Sequence, residues 1–176
     1  MKKRIVLSTA LSAFAFIGIA NAQTGSGTLG VTETVQGSIL LTFVTDASGL
    51  AVTGTGTSTA SLPFGNVKMF GGSVPTNVTK TVSGTTSFSV ATPFDVRVDL
   101  ANSASATFIL TATLATPDAT NVWLIGATNV SDGGAAQLTA TGAYATAVPY
   151  TLHLTVPATE AAGLISNSIG FTAVGN

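Results

Sequence analysis

The sequence predicts an all-β protein, an antiparallel β-sandwich. Three observations carry that reading. Apolar and hydroxyl-bearing residues alternate with a period of two over most of the chain, Gly- and Asp-containing turns punctuate the runs, and β-branched residues crowd out the helix formers. Threonine alone occurs 29 times between Gln23 and Asn176. Its stiff β-branched side chain fits a pleated surface better than a helix. About ten short strands joined by tight turns point to a sandwich or barrel rather than a parallel α/β fold.

The first residues read differently. Lys2, Lys3 and Arg4 form a positive n-region, an apolar stretch runs from Ile5 to Ala20, and Ala20-Asn21-Ala22 fits a small-x-small cleavage site. Residues 1–22 are therefore expected to be a signal peptide of bacterial type, with residues 23–176 as one β-sandwich domain. No later apolar run approaches the ~18 residues of a helical membrane span. Removing the leader leaves Lys68, Lys80 and Arg97 against seven acids, a net charge of −4. So few cations argue against nucleic acid and against an anionic membrane surface. The chain contains no cysteine, so a fold expected at the cell surface, in the periplasm or outside the cell must hold together by packing, sheet hydrogen bonds or assembly.

Taken in order, Thr28–Phe43 puts Leu29, Val31, Val35, Ile39, Leu41 and Phe43 on one face. Hydroxyl and amide side chains occupy most of the other, Glu33 and Gly37 interrupt the apolar row and Leu40 the polar one, and the segment reads as two strands or one bent at Gly37. Phe94, Val96, Val98 and Leu100 alternate with Asp95, Arg97 and Asp99, a half-buried strand with a surface charge ladder. Phe108, Leu110, Ala112 and Leu114 alternate with Thr107, Ile109, Thr111 and Thr113. Val122–Ile125 is apolar on both faces and reads as a central strand. Val148, Tyr150, Leu152, Leu154 and Val156 form another alternating row, and Ile165, Ile169, Phe171 and Ala173 the last. Shorter candidates lie at 50–58, 66–70, 77–82, 86–90 and 137–144. Turns are expected at Asp46–Gly49, Phe70–Ser73 and Ser131–Gly134. The segment 157–163 has room for one helical turn.

The chain carries no motif for catalysis. The lone histidine, His153, shares a solvent-facing row with Thr151 and Thr155, and no Gly-x-Ser-x-Gly elbow accompanies it. Asp95 and Asp99 lie on one strand face but roughly 13 Å apart, too far to share an ion unaided. Gly25-Ser26-Gly27 and Gly54-Thr55-Gly56 lack the lysine and following helix of a phosphate loop. The protein is accordingly expected not to be an enzyme and to need no cofactor or metal.

What remains is a nearly uncharged β surface with strongly alternating ends. That pattern suits strand addition, in which an extended segment lends main-chain hydrogen bonds to another sheet and its alternate side chains fill pockets. Leu29, Val31 and Val35 are the candidate donor side chains, and pairing within the same domain is the competing reading. The stretch Val156-Pro157-Ala158-Thr159-Glu160-Ala161-Ala162-Gly163, followed by 165–174, resembles the end of secreted pilin-like subunits of the spore coat protein U and archaic chaperone–usher type. Phe64-Gly65 could correspond to an early Phe-Gly of those chains. The resemblance implies an immunoglobulin-like sandwich completed by a neighbour's strand, related subunits and a periplasmic chaperone as partners, and no enzymatic activity. The missing disulfide and the ending Val174-Gly175-Asn176 depart from that pattern. Two alternatives stand beside it. One is a carbohydrate-binding or adhesive module in which Trp123, Tyr144 and Tyr150 stack on sugars. The other is a small outer-membrane β-barrel, which would want more aromatics and a polar lumen.

Overall fold

A computed structural model describes residues 29–176; the expected signal peptide and the segment 23–28 lie outside the described residues. The chain divides into two units, Met1–Thr34 and Val35–Asn176. Of the first, the described residues 29–34 are in no strand and are exposed. The second contains every described strand: β1 (Ser38–Val44), β2 (Thr79–Ser83), β3 (Ser87–Ala101), β4 (Phe108–Leu114), β5 (Val122–Ile125), β6 (Thr128–Asn129), β7 (Ala136–Gly142), β8 (Ala147–Pro157) and β9 (Ile169–Gly175). No helix occurs among the described residues: of the segment 157–163, Pro157 ends β8 and 158–163 forms a turn and bends.

The strands make two sheets, as the alternation predicts. The larger has the order β1-β3-β8-β5-β6 with β2 also on β3, and the smaller has the order β7-β4-β9. Every strand pairing is antiparallel. The apolar rows face one another. Val90, Phe94, Val96 and Val98 of β3, Trp123 and Ile125 of β5, and Leu152, Leu154 and Val156 of β8 pack with Phe108, Leu110, Ala112 and Leu114 of β4 in one buried core. Both sheets have free edges, so the described strands do not close into the ring a membrane barrel requires.

Four sequence expectations need correction. The Thr28–Phe43 run supplies one strand, beginning only at Ser38, because its partner β3 ends at Ala101 opposite that residue. Asn102 then turns away at φ 55°, and residues before Ser38 have no ladder to join. The candidates at 50–58 and 66–70 are not strands. Gly54 and Gly56 adopt positive φ inside the first, which extended backbone excludes, while Gly65 and Gly71 turn the chain on either side of the second; only the isolated bridges Phe43↔Thr57 and Thr53↔Ser61 remain. Val122–Ile125 does lie between two strands, β8 and the two-residue β6, but it is not buried on both faces, since Val122 is 40% exposed. Conversely, the separate candidates at 86–90 and 94–100 fuse into the 15-residue β3.

That fusion runs through Pro93, and the register explains why. Gly126 N donates to Thr151 O, so odd residues of β8 aim their backbone groups at β5 and even ones at β3. On β3 the even residues therefore face β8, and Pro93 turns its missing N–H toward the other edge. There β2 pairs up to Ala91 and β1 begins at Asp95, so no ladder bond is lost. Loop residues fill the gap. Leu50 N donates to Thr92 Oγ1 at 2.7 Å, and Thr92 Oγ1 donates to Asn77 O at 3.0 Å.

Candidate assembly surface

The edges of the two sheets decide what this surface can do, because an edge strand carries unpaired N–H and C=O groups. Most of them are blunted. β6 is two residues long. β7 is broken by register shifts opposite Phe108, Leu110 and Thr111. On β1 the loop already occupies the edge: Phe43 N donates to Thr57 O at 2.9 Å, and Phe43 O accepts from Gly56 N. β2 carries Lys80, whose Nζ donates to Lys68 O at 3.1 Å and Gly71 O at 2.9 Å.

β9 has none of these devices. It runs Ile-Gly-Phe-Thr-Ala-Val-Gly without charge, proline or bulge, in unbroken register with β4 along its whole length. Asn176 N donates to Thr107 O and Ala115 N to Ser168 O, so the even residues of β9 bond β4. Ile169, Phe171, Ala173 and Gly175 therefore present their backbone groups to the free edge. The side chains of Ile169, Phe171 and Ala173 pack against the core but stay only half-buried. Phe171 reaches between the sheets, edge-on to Phe43 at 5.2 Å and to Phe94 at 5.9 Å. A further strand beside β9 would cover this row.

The proposed donor residues lie at the opposite end of the chain. Leu29 is 89% exposed, Val31 82% and Val35 63%, and no strand pairing includes them. For aliphatic side chains in alternating positions, that exposure is a liability unless something covers them.

The stacking platform is not assembled. Trp123 is 6% exposed and its indole Nε1 donates to Asp118 Oδ2 at 2.8 Å, so it belongs to the core. Tyr144 packs on Phe108 with ring centres 5.2 Å apart and donates to Thr107 O. Tyr150 packs on Phe94, and burial raises its phenol pKa. The expected charge ladder has a single rung. Arg97 holds Asp99 through both Nε and Nη2, the closest contact being 2.8 Å. Asp95 faces Asp46 instead, and burial followed by the Asp46 charge pushes its pKa up. Hydrogen bonds from Ser48 hold Asp46 below its ordinary value.

His153 points outward beside Thr151, as its place in the alternation predicts, and both line a shallow cleft with Asn77 and Thr79. No group of three or more metal-ligating side chains occurs among the described residues, and no described helix is long and apolar enough to cross a membrane. The un-blunted β9 edge was missed from sequence, although the absence of charge and proline from Ile169–Gly175 was a readable signal. The chain matches no family model, and neither the curated proteins nor the solved structures contain a match to it.

Proposed function

We infer that the protein is an exported bacterial structural subunit of pilus or coat type, which assembles non-covalently by strand addition between copies. The donor is the segment 29–35 and the acceptor is the free edge of β9. One observation carries the reading: an exposed alternating apolar segment and an unprotected, regular sheet edge occur in the same chain. Each is seven residues long. Main-chain hydrogen bonds would supply affinity, and Leu29, Val31 and Val35 would extend the half-buried row of Ile169, Phe171 and Ala173. The leader at 1–22 supports export, and the resemblance of the C-terminal segment supports a periplasmic chaperone that guards the edge before assembly.

Two variants test this. Deleting residues 23–35 should abolish polymers in sedimentation while circular dichroism still reports a folded β protein. Ala173→Pro should do the same, because it removes an outward N–H from β9 without touching the ladder to β4. If the truncated chain unfolds, the segment is an ordinary part of its own core. If polymers persist in both variants, strand addition at β9 is wrong.

A further inference from the structure

A second site lies on the outer face of the larger sheet, beside the gap in the β3 edge. It is a cleft of about 460 Å³, within the range of small-ligand pockets. Ala91 and Pro93 form its floor, Ser48 and the turn 77–79 one wall, and Thr151 and His153 the other. No carboxylate, ammonium or guanidinium lines it.

The polar groups differ in what they leave available. Ser48 Oγ already donates to Asp46 Oδ1, and Asn77 Nδ2 already donates to Gly49 O at 2.8 Å. The hydroxyls of Thr79 and Thr151 and the ring of His153 form no side-chain hydrogen bond with another described residue. A hydroxyl both donates and accepts, and an imidazole offers two ring nitrogens for hydrogen bonding. Three such groups surround a floor of Ala91 and Pro93 carbons. The wall opposite β8 is also fixed in place: Asn77 sits at φ 65°, tied to Gly49 through its amide and to Thr92 through its carbonyl. A preformed wall spares a ligand the ordering cost.

The matching ligand is small and neutral, has hydroxyls that donate and accept, and has one apolar C–H face. We propose that this cleft binds a single neutral hexose unit, with Thr79, Thr151 and His153 as its hydrogen-bonding residues. Three hydrogen bonds in an open cleft set the affinity in roughly the millimolar range. The site is separate from the β9 edge, so it does not depend on how the chain assembles.

Saturation-transfer NMR on the full chain tests it with glucose, galactose, mannose and N-acetylglucosamine, read on the sugar so that monomer and polymer serve equally. At least one sugar should receive transfer. Thr151→Val and His153→Ala should each weaken its binding by roughly three- to tenfold, with circular dichroism unchanged. Should either variant misfold, Thr79→Val reads the opposite wall. Transfer to none of the sugars overturns the proposal. So does affinity indifferent to these substitutions, or transfer to a neutral peptide but to no sugar.

Discussion

Thr92 is a polar side chain in the middle of an apolar row, wholly buried between Val90 and Phe94. Its hydroxyl accepts from Leu50 N and donates to Asn77 O, so one oxygen ties two loop segments to the strand they flank. Valine has nearly the same shape but satisfies neither partner. Thr92→Val should therefore cost about 2–3 kcal/mol in urea unfolding, the desolvation penalty of stranded backbone groups. Thr113→Val, on the outer row of β4, should change stability by less than about 0.5 kcal/mol. Asp118 gives the residue scale its acid dependence. Burial raises its pKa, but the Asn121 amide, the Trp123 indole, the Asn121 side chain and the Thr120 amide outweigh that and hold it at about 2, below the ordinary 3.8. A carboxyl with a lowered folded value favours the fold while ionised, and that contribution fades as pH falls from 3.8 through about 2. Asp118→Asn should lower the melting temperature near neutral pH, and the gap to the parent should close over that acid window.

At the scale of elements, the interrupted edge of β3 shows how sequence and structure part company. The two-residue rhythm located β4, β8 and the Phe94–Leu100 half of β3 nearly to the residue, because each lies in a sheet with one face on the core and one outside. The same rhythm failed at 29–37 and 50–58. Alternation reports which side chains could share a face, and it does not report whether a neighbour is there to pair with. Nor could it join β3 across Pro93, since the direction of a missing N–H is set by register with β8. That β9 lies at an edge was not legible for a related reason, since an edge is defined by the strand that is absent; only its lack of charge and proline could be read. Gly49 shows the local consequence. A Cβ there would lie 2.0 Å from Pro93 O and 3.4 Å from the Asp46 Cβ, so only glycine lets the loop seal the gap. Gly49→Ala should destabilise by about 1–3 kcal/mol, as overpacking does, and hydrogen exchange should quicken first at Leu50. The proposed donor segment makes its own prediction. Glu33 falls in the apolar row of Leu29, Val31 and Val35, and placing it beside the Phe171 row would desolvate a charge. Glu33→Val should lower the concentration at which polymers form in sedimentation.

For the molecule as a whole, the distribution of charge limits how it can associate. The described residues hold three cations, of which Arg97 is engaged with Asp99 and Lys80 with loop carbonyls. The acids outnumber them, so copies repel weakly at neutral pH. An assembly held by ion pairs would dissociate as salt screens them, within the ~8 Å Debye length of physiological solution. Strand addition at β9 uses main-chain bonds and an apolar row, and it meets only the mutual repulsion of like-charged subunits. Raising sodium chloride should therefore leave polymer yield unchanged or increase it. Mass action adds a second signature, because binding that favours the folded state raises its melting temperature with concentration. Scanning calorimetry over a range of protein concentrations should show that rise in the full chain and lose it in the 23–35 deletion. A salt-dissociable polymer would mean that the copies meet through some other surface, and a melting temperature independent of concentration in the full chain would mean that they do not associate.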